Sequence, residues 1–161
     1  MQAVNTVIQS AKLGPVSIDP ERLLTFPEGI PGFRTVKQYT LVNNDKGHPF
    51  FWLQAVEDPE LAFVVIDPLV FRPDYRPALP PEEMKELEIE SSDSLVVLTI
   101  LTIPHEDPLK LTANLMAPLV INSKTRKGKQ IVLSDLNYSH REPLFPAQVL
   151  SASEQGIAGT K

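Results

Sequence analysis

Phe50-Phe-Trp-Leu-Gln-Ala-Val-Glu-Asp-Pro-Glu-Leu-Ala-Phe-Val-Val-Ile66 decides the fold. Phe50 to Val56 and Leu61 to Ile66 are runs rich in aromatic and β-branched side chains, which suit a pleated, buried surface. The turn signal Glu57-Asp-Pro59 lies between them. So short a connection joins antiparallel neighbours and leaves no room for a helical crossover. The pattern extends outward through Val36 to Val42, Leu95 to Ile103, Leu111 to Ile121 and Gln130 to Leu133, with turns at Asn43-Asn-Asp-Lys-Gly47, Pro104-His-Glu-Asp-Pro108 and Thr125-Arg-Lys-Gly128. Residues 7 to 26, broken by Gly14-Pro15 and Asp19-Pro20, read as short strands joined by turns. The expectation is an all-β, mainly antiparallel, compact barrel-like domain.

One segment departs from that pattern. Pro80-Pro-Glu-Glu-Met-Lys-Glu-Leu-Glu-Ile89 opens with proline and acids and offers Met84, Leu87 and Ile89 to one face, which predicts a single short helix. Upstream, Phe26-Pro-Glu-Gly-Ile-Pro-Gly-Phe33 alternates residues that fix and free the backbone, and reads as a shaped loop closed by Phe26 and Phe33. Residues 1–145 form one domain, and the shift to Ala, Ser, Gln and Gly predicts a flexible tail over 146–161. A chain of 161 residues buries roughly two-thirds of its unfolded surface without staples.

Composition narrows the function. The absence of cysteine removes disulfides, thiolate metal sites and a cysteine nucleophile, and agrees with a reducing compartment, the cytoplasm. The N-terminus lacks the basic start and apolar core of a signal peptide. The longest uncharged apolar run, Leu95 to Ile103, is far shorter than the about 20 residues of a membrane helix. A net charge of −5 argues against direct nucleic-acid binding. The charge is uneven: Glu82, Glu83, Glu86, Glu88, Glu90 and Asp93 stand against Lys85 alone, so this segment either attracts a basic partner or forms a solvated helix face.

His48, His105 and His140 share no ligand spacing, which predicts no metal site. Glu57/Asp58, Glu82/Glu83 and Glu106/Asp107 sit on turns or a helix start, where adjacent acids face water. Asp67 ends an apolar run and reads first as a turn cap. Gly128-Lys129 lacks the glycine that a phosphate loop places five residues earlier, and no serine stands in a Gly-x-Ser-x-Gly elbow. Lys124, Arg126, Lys127 and Lys129 mark either a soluble hairpin tip or a contact with an acidic surface. Phe71, Asp74 and Tyr75 enter a proline-bounded loop and either face a partner or cover the end of the barrel. Asn114 and Asn122 lie in or at the end of an apolar stretch and need hydrogen-bond partners.

The shaped loop, Trp52-Leu-Gln54, Leu61-Ala-Phe-Val-Val-Ile-Asp-Pro68, Pro73-Asp-Tyr75, Leu101-Thr-Ile-Pro104, Leu111-Thr-Ala-Asn-Leu-Met-Ala-Pro-Leu-Val-Ile-Asn122 and Gly128-Lys-Gln130, in this order between about Val16 and Leu144, resemble the FliW flagellar assembly factor family. The resemblance implies a compact antiparallel β fold, no cofactor, no enzymatic activity and a monomer when free. It also implies two protein partners bound in a mutually exclusive way, flagellin and the translational regulator CsrA, with CsrA antagonised away from its RNA-binding surface. The contact residues expected are Phe71, Tyr75 and Ile103 as apolar anchors, Asp74 at the rim, and Glu83, Glu86 and Glu90 as the acidic complement to basic CsrA. The alternatives are a flagellin-specific export chaperone without a CsrA role, and a small β-barrel hydrolase.

Overall fold

The computed structural model describes residues 6–43, 49–135 and 137–144. The expected tail, His48 and most of the turn before it lie outside the described residues. The hairpin expected around Glu57-Asp-Pro59 is present: β5 (Phe50–Ala55) pairs antiparallel with β6 (Ala62–Ile66). β4 (Gln38–Asn43) flanks β5, and β7 (Leu95–Thr102) flanks β6. β3 (Leu24–Thr25) adds to β4, while β9 (Leu119–Asn122) and β10 (Gly128–Gln130) extend the sheet beyond β7, giving the order β10-β9-β7-β6-β5-β4-β3. β1 (Thr6–Ser10) and β2 (Gly14–Ile18) form a separate hairpin, and β11 (Glu142–Pro143) pairs with β8 (Thr112–Ala113), which in turn pairs with β7.

The all-β expectation holds, and the sheet stays open. Its two ends meet at one isolated parallel bridge, Thr25↔Lys127, with the Thr25 N–H donating to the Arg126 carbonyl at 2.9 Å. The run Leu111 to Ile121 is not one strand. Asn114 Oδ1 accepts from the Ala117 N–H at 3.1 Å, closing a turn, and Pro118 follows before β9 begins. Only the start of Gln130 to Leu133 is ladder, although the Ile131 and Leu133 N–H groups still donate to Pro118 and Met116 carbonyls.

Side-chain alternation divides the interior in two. Leu53, Val65, Leu98, Leu119 and Ile121 point to one face of the sheet and pack with Phe26, Ile30 and Tyr39. Ile66, Leu101, Ala113 and Leu115 point to the other, under the segments that carry Tyr75 and Tyr138. The short helix α1 (Pro81–Glu86) and the residues after it cover the far end of this second face, where Leu87 and Ile89 pack on Val120, Ile131 and Leu133, with Met84 beside them.

The shaped loop is pinned differently from expectation. Phe26 is fully buried, but Phe33 is 41% exposed and leans edge-on against Phe63; Ile30, 2% exposed, is the residue that plugs the core. Gly29 adopts φ +69°, and a Cβ there would lie 2.5 Å from the Arg34 backbone, so no other residue fits.

Two buried polar side chains differ in how the fold satisfies them. Gln54, wholly buried, accepts from the Ser10 hydroxyl at 2.6 Å and donates to the Ala55 and Leu61 carbonyls at 3.0 Å each. It ties the β1–β2 hairpin to the sheet. Gln54→Leu removes the side-chain donor to the Ala55 carbonyl and the acceptor of the Ser10 hydroxyl, while the Leu61 carbonyl keeps the Ala55 N–H at 2.9 Å, and this loss is larger than the gain from an added apolar side chain. Stability in chemical denaturation is expected to fall by about 2 to 3 kcal/mol.

The Tyr39 hydroxyl, by contrast, is buried without a hydrogen-bond partner among the described residues. Its pKa is pushed up to about 12, first by burial and then by Glu57 and Asp58. Because the unfolded phenol ionises near pH 10, the neutral hydroxyl contributes stability that is complete below pH ~10 and is lost as pH rises toward 12. Tyr39→Phe is expected to leave neutral-pH stability unchanged or raise it by about 1 kcal/mol, and to shrink the alkaline loss in pH-dependent melts.

Candidate protein-interaction surface

The register places Trp52 beside Val64 and Val64 beside Leu101, so three strands present one apolar stripe on the second face. Unlike the rest of that face, part of the stripe is uncovered. A groove of about 460 Å³ runs over it. One wall is Lys12 from the β1–β2 turn, whose ammonium donates to the Ala62 carbonyl at 3.3 Å and lies 5.9 Å from the Trp52 ring centre. The other is Ile103, 41% exposed, followed by Pro104 and His105. Ile103 was legible in the sequence as an anchor candidate. Trp52, Val64 and Leu101 were not, because strand alternation alone does not tell a covered position from an open one.

Phe71, Asp74 and Tyr75 line no part of this groove. Asp67 caps the turn that leads into them, accepting from the Leu69 N–H at 2.9 Å, which leaves Leu69 and Val70 roughly half exposed. Phe71 is half-buried against the second core. Asp74 is open to solvent; its carboxyl is held below the ordinary range first by a hydrogen bond from Arg72, which also reaches Glu142. Tyr75 corrects the expectation of an exposed anchor. It is 3% exposed, its hydroxyl donates to the Leu115 carbonyl at 2.7 Å, and its ring meets Tyr138 edge-on at 4.7 Å. Burial, then Tyr138, pushes its pKa up. Its edge contributes to a second groove of about 360 Å³ that also includes Leu69, Pro77 and Val97.

The acidic segment is partly neutralised from within. Lys129, turned inward from the basic hairpin, meets Glu83 at 2.6 Å and both Glu86 and Glu28 at 3.3 Å. Its ammonium is held well above the ordinary lysine range, first by the hydrogen bond it donates to Glu83 and against partial burial, while Glu28 is held below its own. Glu82, Glu88 and Glu90 remain exposed, as do Lys124, Arg126 and Lys127. Asn122 finds its partners inside the fold: its amide donates to the Leu87 carbonyl at 2.8 Å and its oxygen accepts from the Lys124 N–H at 2.8 Å. Among the described residues, no group of three His, Asp or Glu side chains is placed to hold a metal ion.

A family model described as FliW protein matches residues 6–144. The chain belongs to the FliW family. A relative from Alkaliphilus metalliredigens (strain QYMF), named flagellar assembly factor FliW, is 42% identical over 150 residues, spanning 92% of this chain and 91% of its own. One of the same name from Leptospira biflexa serovar Patoc is 34% identical over 94% of this chain and 99% of its own. A crystal structure of the flagellar assembly factor FliW superposes with a TM-score of 0.83 at 35% identity, over 89% of this chain and all of that one. The FliW name is that of an assembly factor, and no helix among the described residues is long and apolar enough to cross a membrane.

Tyr75 is therefore assigned to the framework of this FliW fold. Tyr75→Phe leaves the buried Leu115 carbonyl without its donor and is expected to lower stability by about 1 to 2 kcal/mol, read as a drop in thermal midpoint.

Proposed function

We propose that this protein is a cytoplasmic flagellar assembly factor that acts without catalysis. It binds CsrA and flagellin one at a time, and relieves CsrA repression of flagellin translation when flagellin is scarce. The observation that carries the reading is the groove over partly exposed Trp52 and Val64, with buried Leu101 in its floor and Ile103 at its rim. A single apolar groove of about 460 Å³ accommodates one anchor, so two proteins that seat a side chain there exclude each other. Family membership supports the class of function. Phe71 and Asp74 belong to a second surface that a large partner reaches at the same time. Glu90, exposed, and the paired Glu83 and Glu86 contribute attraction to basic CsrA at long range, an effect on association rate more than on affinity.

Calorimetric titration tests it. Heat is expected with CsrA from the same organism, and is expected to vanish after saturation with flagellin. Ile103→Asp is expected to weaken both complexes by about tenfold or more, because it puts a charge on the apolar contact they share. Its thermal midpoint should stay within a few degrees of the parent, since Ile103 is 41% exposed. Heat with flagellin alone would make this an export chaperone, and silence with both would end the assignment.

A further inference from the structure

Strand β4 runs further than its neighbour. β3 covers it at Tyr39 and Gln38 only. Upstream of Leu24 the chain turns away, because Asp19 accepts from the Glu21 N–H at 3.0 Å to cap a 3-10 turn over Pro20–Arg22, and Pro20 has no N–H to give to a ladder. Thr40–Asn43 is thus paired with β5 on one side and, among the described residues, with no strand on the other.

The direction of the backbone groups follows from two bonds. The Gln38 carbonyl accepts from the Val56 N–H on the β5 side, and the Lys37 carbonyl accepts from the Phe26 N–H on the opposite side. Alternation then turns the N–H and C=O of Leu41 and Asn43 to the uncovered side, where neither finds a partner among the described residues. Facing them across a gap is β2, which pairs with β1 by its far edge. Pro15, opposite Gln9, cannot donate to β1, so the backbone of Pro15 and Ser17 also turns toward the gap.

An open groove of about 690 Å³ is lined by Pro15–Ser17 of β2 and Thr40–Asn43 of β4, with Trp52 also in its lining, and an adjoining one lies between Ser17, Asp19 and Arg22 and the same stretch of β4. An extended residue takes up roughly 160 Å³, from the strand spacing of ~4.8 Å, the sheet spacing of ~10 Å and the rise of ~3.3 Å. The groove therefore accepts roughly four residues. Thr40–Asn43 holds no proline and no charge, the devices that blunt exposed edges. Leu41 is 38% exposed, and Lys12 stands at one end of the groove.

We propose that Thr40–Asn43 of β4 receives an extended segment of a partner polypeptide as an added strand, seated against β2, with an acidic side chain toward Lys12. Evenly spaced donors and acceptors at strand distance are met by another backbone and by no small ligand. The inference names the conformation of the bound segment, and it rests on the partner assignment for the choice of probe only.

Peptides about 12 residues long, tiling flagellin and CsrA, are added to the isotope-labelled full chain, and amide hydrogen exchange is followed by NMR. Thr40 and Val42, bonded to β5, serve as the reference. In the free protein, Leu41 and Asn43 are expected to exchange at least about tenfold faster than the reference. One peptide is expected to slow them by a similar factor, and N-methylation of one alternating set of its amides is expected to weaken it by about tenfold or more. Silence from every peptide overturns the proposal, as does a bound peptide indifferent to N-methylation. Whole CsrA or flagellin that binds while these amides still exchange freely also overturns it, and leaves the partner assignment standing.

Discussion

Strands β5, β6 and β7 carry apolar side chains on both faces, so water has to be excluded from two surfaces at once. That constraint organises the chain. One face closes on itself through the curl of the sheet and the plug of Phe26 and Ile30. The other is covered piecemeal by the turn after Asp67, the Tyr75 and Tyr138 pair, the short α1 helix and the small β1–β2 hairpin. Irregular cover carries many backbone polar groups, which explains why the buried polar side chains sit where they do. Gln54, Asn122 and Tyr75 donate to the backbone carbonyls of Ala55, Leu87 and Leu115. The interaction surface is where this cover stops short of the stripe beneath it.

The strands were legible because period-two alternation and proline-bounded turns are local signals. β4, β5, β6 and β7 lie within a residue or two of the runs that suggested them. The break between β8 and β9 was hidden by continuous apolar character, since Leu115, wholly buried, leaves the ladder and still points into a core. The loop Phe26 to Phe33 showed its turns but not its anchor. Ile30 and Phe33 are both large and apolar, and only the handedness imposed at Gly29 and Gly32 selects which one turns inward. The candidate site was partly legible in Ile103. Its floor depended on pairing register, which no single segment encodes.

Charge was the least readable property. The acidic segment and the basic hairpin each look like a docking surface in the sequence, yet they are neighbours in the fold, and Lys129 spends its charge on Glu28, Glu83 and Glu86. A half-exposed pair of this kind adds little stability by itself. What it does is fix the helix against the hairpin, leaving Glu88 and Glu90 on one side and Lys124, Arg126 and Lys127 on the other as separate fields of opposite sign.

The meeting of Thr25 with Lys127 has a kinetic meaning. These two residues come from opposite ends of the described chain, and a contact of such long sequence separation forms only after the entropy of closing the intervening loop has been overcome. The local hairpins β1–β2, β4–β5 and β5–β6 do not wait for it. Of these contacts the seam therefore carries the largest closing entropy, and among the described residues it is held by one isolated bridge.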